Sequence, residues 1–292
     1  MEYDIDLVTG PERDYYFDKY EKLYNFFINP LSSCFRIMNP ENIIKDEALL
    51  VGTTHPALLE ITSLVKIFKR AYFVSRKEAS RVKSLSELAN QFIEKPIRVM
   101  GKSIKSILPY LFNKAILKPF FSYITQSVPN KLIKIGTPFF DISKNSNKKT
   151  YNTNTSNYIV ELMKRDKTVV ILQFNSKNKR SKHHPYLNRF GLGLGGAAFD
   201  LYLKGYNVPI TLVTFKGCEK LPFLSSERPV AYIHEPFYFK DFVREYELPS
   251  KILNENNKKS IAYRFGDYSE MKCADVLVNK LGVPIDIYNS KK

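Results

Sequence analysis

Residues 48–60, read Ala-Leu-Leu-Val-Gly-Thr-Thr-His-Pro-Ala-Leu-Leu-Glu, constrain this chain more than any other stretch. Residues 48–51 form a short apolar run with the length and composition of a buried β-strand. Gly52, Thr53 and Thr54 are expected to end it. Pro56 is of the type favoured at the first position of a helix, because its fixed φ suits the helix and its missing N–H would lack an intrahelical acceptor anyway. A helix over residues 56–70 is expected to follow. A strand turning directly into a helix is the opening of an α/β unit, and open α/β sheets carry their sites at the C-terminal ends of strands. His55 stands at this junction, at or beside the helix N-cap, and Glu60 follows just over one helical turn in. A carboxylate bonded to one imidazole nitrogen fixes the tautomer and leaves the other nitrogen free as a base. The residues alone leave a plainer reading open. A cap histidine can bond backbone groups, and the helix macrodipole favours glutamate near an N-terminus.

Further strands are expected at residues 71–74, 168–172 and 208–213, each a compact apolar run. Residues 158–167 show a helical apolar face of Ile159, Leu162 and Met163. Residues 145–157 (Asn-Ser-Asn-Lys-Lys-Thr-Tyr-Asn-Thr-Asn-Thr-Ser-Asn) are polar throughout and are expected to be a surface loop. The glycine-rich run 191–196 formally holds G-x-G-x-x-G, but no apolar strand precedes it and no acidic residue follows at the required spacing. It reads as the start of a helix at Gly195-Gly196-Ala197-Ala198, where small residues let helix and sheet approach closely. Residues 15–28 are rich in aromatics and end before Pro30, as a helix packed on the core or lying at an interface. Residues 85–124 alternate Lys102, Lys105, Lys114 and Lys118 with apolar side chains, which suits either a core-facing amphipathic helix or a membrane-surface element. The tail from residue 238 holds a polar linker at 254–259, then short helices around residues 268–281, and carries no motif.

The chain has 292 residues and a formal net charge of +16, which points to an anionic partner: a phosphorylated substrate, an anionic membrane surface or nucleic acid. No nucleic-acid module is visible, so that partner ranks last. The three cysteines, Cys34, Cys218 and Cys273, have neither metal-ligand nor disulfide-framework spacing. His183 and His184 have no cysteine or acidic companion at ligand spacing. The acidic, polar N-terminus is not a signal peptide, and no run approaches the length of a transmembrane helix. A protein of this kind that meets a membrane is expected at its periphery, on the cytoplasmic side.

The stretch Thr54-His55-Pro56-Ala57-Leu58-Leu59-Glu60 resembles the His-x4-Asp motif of the glycerolipid acyltransferases, the 1-acylglycerol-3-phosphate acyltransferase superfamily, with glutamate in place of the usual aspartate. Further segments resemble that family in its motif order over roughly residues 45–240. Ser75-Arg76-Lys77-Glu78-Ala79 is similar to its small-Lys-x-Glu-Leu pattern. Gly136, Phe139 and Asp141 match its Gly-x-x-Phe-x-x-Arg segment, where Ile142 stands in the arginine place and Lys144 is the nearest cation. Residues 172–177 align with Phe-Pro-Glu-Gly-Thr-Arg, which puts Phe174 where the family has its acceptor-binding glutamate. Residues 207–215 resemble the Val-Pro-Ile-Val-Pro-Val strand, and residues 228–237 the terminal strand, with His234 near its glycine place in a structural role.

The resemblance implies an α/β fold with a mostly parallel central sheet flanked by helices and with helical N- and C-terminal additions. It divides the chain into an N-terminal helical segment 1–47, an acyltransferase-like domain 48–240 and a C-terminal extension 241–292 packed on it. The implied reaction moves a fatty acyl group from acyl-CoA or acyl-carrier protein to a hydroxyl of a glycerolipid or lysophospholipid at an anionic membrane surface. His55 would take the hydroxyl proton and Glu60 would orient it. Substrate binding falls to Thr54, Arg76, Lys77, Lys144, Gln173, Asn175, Ser176 and Lys177. No metal or prosthetic group is implied. The departures at Ile142 and Phe174 carry the alternative, a catalytically silent descendant that binds lipid or acts as a scaffold.

Overall fold

A computed structural model describes residues 9–11, 13–18, 35–54, 59–76, 137–140, 148–172, 181–184, 187, 189–217 and 228–284. Eight strands form one sheet: β1 (Arg36–Met38), β2 (Leu49–Thr53), β3 (Tyr72–Arg76), β4 (Phe139–Phe140), β5 (Thr168–Leu172), β6 (Pro209–Lys216), β7 (Val230–Ile233) and β8 (Phe237–Tyr238). Their order is β1-β7-β6-β2-β5-β3-β4, with β8 also paired to β6. The five strands from β6 to β4 are mutually parallel, whereas β7 and β8 run antiparallel to β6. The expected mostly parallel sheet with flanking helices is therefore present, and all four strands read from the sequence lie in it.

The helices among the described elements are α1 (Leu59–Ile67), α2 (Lys148–Lys164), α3 (Leu192–Leu203), α4 (Phe239–Glu245) and α5 (Lys258–Asn279). The chain passes from β2 through α1 to β3 in one direction across the sheet and from β5 through α3 to β6 in the other. Right-handed crossovers in opposite directions put their helices on opposite faces. Strand alternation follows: Leu49, Val51, Val170, Leu172 and Val213 pack with Leu64 and Phe68 on the α1 side. Leu50, Val169, Ile171, Ile210 and Leu212 pack with residues of α2, α3 and α5 on the other.

Several boundaries differ from the sequence reading. Gly52 and Thr53 do not end β2; they pair with Ile171 and Leu172 on one side and Leu212 and Val213 on the other. Two flanking ladders outweigh the low strand propensity of the glycine, and Thr53 is itself strand-favouring. The glycine has a packing reason, since a Cβ at Gly52 would overlap the Leu194 side chain and lie 3.0 Å from Leu212 Cδ2.

Residues 148–157 belong to α2 and are not a loop. Thr155 is buried there, Ser156 donates to Asp200 and Asn157 accepts from Lys204, so tertiary contacts hold a segment of poor intrinsic propensity. The tail forms one 22-residue helix, α5, that begins inside the expected linker. The N-terminal segment is helical at residues 13–18 and also supplies β1 to the sheet.

The glycine-rich helix starts earlier than expected, at Leu192, and its glycines serve two contacts. Gly193 faces Ile171 of β5, where a Cβ would lie 3.3 Å from Ile171 Cγ2. Gly195 faces α5, where a Cβ would overlap the Ala262 carbonyl oxygen and lie 2.8 Å from Ala262 Cα. Beside this crossing, Phe237, Phe239, Phe242, Phe265 and Tyr268 form an aromatic cluster; the Phe239 and Phe265 rings stack at 5.1 Å. It joins β8 and α4 to α5. Residues 15–28 beyond position 18, and residues 85–124, lie outside the described residues.

Candidate active site

Parallel pairing brings the C-terminal ends of β2, β3, β5 and β6 to one edge. Thr53 is level with Leu172 of β5 and Val213 of β6. Val74 of β3 is level with Ile171, and Arg76 with Phe140 of β4. The His55 stretch leaves this edge from β2 and the segment beginning at Gln173 leaves it from the neighbouring β5.

Thr54 is the one proposed site residue whose side chain is described. Its N–H donates to the Val213 carbonyl oxygen at 3.1 Å, and its hydroxyl accepts the Phe215 N–H at 3.2 Å. The residue is 1% exposed, so this hydroxyl fastens the end of β2 to β6. Glu60 is the second residue of α1, and Arg76 is the last of β3; these are backbone placements. His55, Lys77, Lys144, Gln173, Asn175, Ser176 and Lys177 lie outside the described residues. The edge thus joins the backbones of Thr54, Arg76 and the end of β5.

The described part of the β5–α3 connection carries an ionic cluster that sequence reading missed. Asp267 of α5 pairs with Lys182 Nζ at 2.9 Å and with His183 Nε2 at 3.0 Å. Burial pushes the Asp267 carboxyl up, but Lys182 and His183 more than offset this and hold it below its ordinary value. One turn along, Glu270 accepts the Phe190 N–H. Its burial raises the carboxyl pKa against the opposing pull of Ser181 and that amide. His184 is fully buried with Nε2 2.8 Å from the Val283 carbonyl oxygen. The available signal was the three-residue spacing of Asp267 and Glu270, which puts both on one face of a helix.

His234 has a structural environment. It is buried, its backbone N–H donates to Leu212, and Nε2 lies 2.8 Å from the Thr214 hydroxyl. Desolvation, helped by the Lys272 charge, lowers its pKa to about 3. The unfolded chain takes up a proton below the ordinary value near 6.5 and the native state does not. Stability contributed by neutral His234 is therefore complete above that value and declines as pH falls towards 3. Denaturant unfolding across this window should show a wild-type slope steeper than that of His234→Gln, by at most roughly 1.4 kcal/mol per pH unit. Equal slopes would exclude a neutral, proton-excluding His234.

No protein-family model matches the chain, and no curated protein matches it significantly. Among solved structures, the chain matches the crystal structure of the 1-acyl-sn-glycerophosphate (LPA) acyltransferase, PlsC, from Thermotoga maritima. That match has 13% identity and a TM-score of 0.43, over 92% of this chain and 82% of that one.

Proposed function

We propose that this protein is an O-acyltransferase that moves a fatty acyl group from acyl-CoA or acyl-carrier protein to a hydroxyl of a glycerolipid or lysophospholipid. The observation that carries the reading is the register of β2 and β5. It sends the His55-x4-Glu60 stretch and the 173–177 segment out from adjacent parallel strands at one edge, as the motif order requires.

In this mechanism His55 removes the acceptor hydroxyl proton as the oxygen attacks the thioester carbonyl. Glu60 orients the imidazole and steadies the imidazolium, which then protonates the leaving thiolate. Backbone N–H groups near residues 56–58, which precede α1, receive the developing oxyanion in this mechanism, although Pro56 has none to give. Arg76, Lys77, Lys144 and Lys177 serve anionic parts of donor and acceptor, assisted by Gln173, Asn175 and Ser176.

No described helix is long and apolar enough to cross a membrane. The net charge of +16 supports work at an anionic membrane surface. The test is purified protein on anionic vesicles with radiolabelled acyl-CoA and a panel of lysolipids, followed by lipid chromatography. A labelled diacyl product is expected. Vesicle binding with no product from any acceptor would favour the second reading, a lipid-binding descendant, which rests on Phe174 and Ile142 in place of the expected polar residues.

A further inference from the structure

The two edges of the sheet carry their charges differently. At the edge that holds the candidate site, Arg36 is the first residue of β1, Lys216 the last of β6 and Arg76, by its backbone, the last of β3. Arg228 stands two residues before β7. Arg189 precedes α3, whose Gly193 lies against Ile171 near the end of β5. At about 4.8 Å per strand, the line from β1 to β3 is roughly 24 Å long. At the opposite edge bases stand with acids. Lys45 is beside Asp46 and Glu47 before β2, and Lys167 is beside Asp166 before β5. Arg70, before β3, pairs with Asp14 at 3.3 Å and with Asp18 at 2.9 Å.

Arg36, Arg189 and Arg228 are exposed, and among the described residues none of them has an ion-pair partner. Asp267, the carboxylate that α5 brings to this side, is already paired with Lys182 at 2.9 Å. The Arg36 N–H donates to the Pro229 carbonyl oxygen at 2.8 Å, so Arg36 and Arg228 stand side by side at the ends of paired strands. Lys216 is level with Val230, which is level with Arg36. Like charges on neighbouring strands repel, and an external anion relieves them. A guanidinium fork suits a phosphate oxygen pair. Leu192, 39% exposed, adds an apolar side chain close to Arg189.

We propose that the protein docks edge-on to an anionic bilayer, with Arg36, Arg189 and Arg228 on headgroup phosphates and the opposite sheet edge turned to water. This rests on the membrane-surface part of the proposed function and goes beyond it by assigning the face. A bilayer fits this edge better than nucleic acid does, because Leu192 stands among the arginines and an apolar side chain gains by entering a lipid interface. The docked strand ends then open towards the layer in which a lipid acceptor lies.

The experiment measures partition of the full chain onto vesicles of equal parts phosphatidylcholine and phosphatidylglycerol, and onto phosphatidylcholine alone, with thermal melts on every variant. Wild type should prefer the anionic vesicles and lose binding as salt rises. Arg36→Gln with Arg228→Gln should bind roughly 25-fold more weakly, and Arg189→Gln alone about fivefold more weakly. Arg36→Lys with Arg228→Lys keeps the charge and should bind nearly as wild type does. Lys45→Gln with Lys69→Gln makes the same change in net charge on exposed residues of the opposite edge and should leave binding close to wild type.

Equal weakening by the Lys45 and Lys69 pair would overturn the assigned face, as would unchanged binding in the folded Arg36 and Arg228 pair. Should that pair melt early, Arg189→Gln decides by the same comparison. Wild type that ignores phosphatidylglycerol would overturn the lipid partner. Tighter binding to an oligonucleotide, lost through the same arginines, would give the edge to nucleic acid instead. Partition is read without turnover. A wild type that binds through these arginines and transfers no acyl group therefore keeps the assigned face while the enzymatic reading fails.

Discussion

His55→Ala is expected to remove acyl transfer while leaving the protein folded. A positioned general base is worth roughly 10²–10⁴ in rate, and no other histidine can take over. Among the other three, His183 is paired with Asp267, His184 is fully buried against Val283, and His234 is buried beside Thr214 with its basicity suppressed. In the proposed role the imidazole serves the reaction and not the core, so the melt should stay close to wild type. Glu60→Gln keeps the shape of its side chain but loses the charge that, in the proposed mechanism, steadies the imidazolium, so transfer should fall sharply. Glu60→Asp should retain more activity than Glu60→Gln, because it keeps the carboxylate. Transfer rates and melts on these variants decide the matter. Equal rates for wild type and a folded His55→Ala protein would sink the mechanism.

The largest expected effect on stability lies at the crossing of α3 and α5. In Gly195→Ala the new methyl meets the Ala262 backbone and not the yielding tip of a side chain. Relief requires the two helices to separate, which costs roughly 1–3 kcal/mol in a packed core. The neighbouring Gly196→Ala is the internal control. Its Cβ meets nothing within 4 Å, and it gains up to about 1 kcal/mol of helix propensity. Paired denaturation curves should therefore move in opposite directions. A Gly195→Ala protein as stable as wild type would mean that the helices are not held as closely as Ala262 implies.

The strands were legible because β2, β3, β5 and β6 are dense in Leu, Val, Ile and aromatic residues, which suit a sheet covered on both faces. Less legible were places where partners override local preference. Gly52 looks like a break until Leu194 is seen filling the space a side chain would take. The first turns of α2 look like a loop until Ser156 finds Asp200. The register of the edge was not legible, because it depends on pairings between strands far apart in the chain; only the fold puts Thr53 level with Leu172 and Val213. The Asp267 pairing was hidden because Asp267 is more than eighty residues of chain from the adjacent Lys182 and His183, and only the fold makes them neighbours.

The order of the strands has a consequence for how the chain is made. The fully buried β2 has β5 and β6 as its neighbours, and both lie far downstream in the chain. A ribosome adding about 5–20 residues per second completes Thr53 roughly 6–24 s before Leu172 and several seconds more before Lys216. Throughout that interval Leu-Leu-Val is an apolar strand with both backbone edges open. β1 waits longer still, for β7. Nascent chains should consequently depend on chaperone binding near residues 49–51, and synonymous codons that slow translation before residue 209 would prolong that exposure.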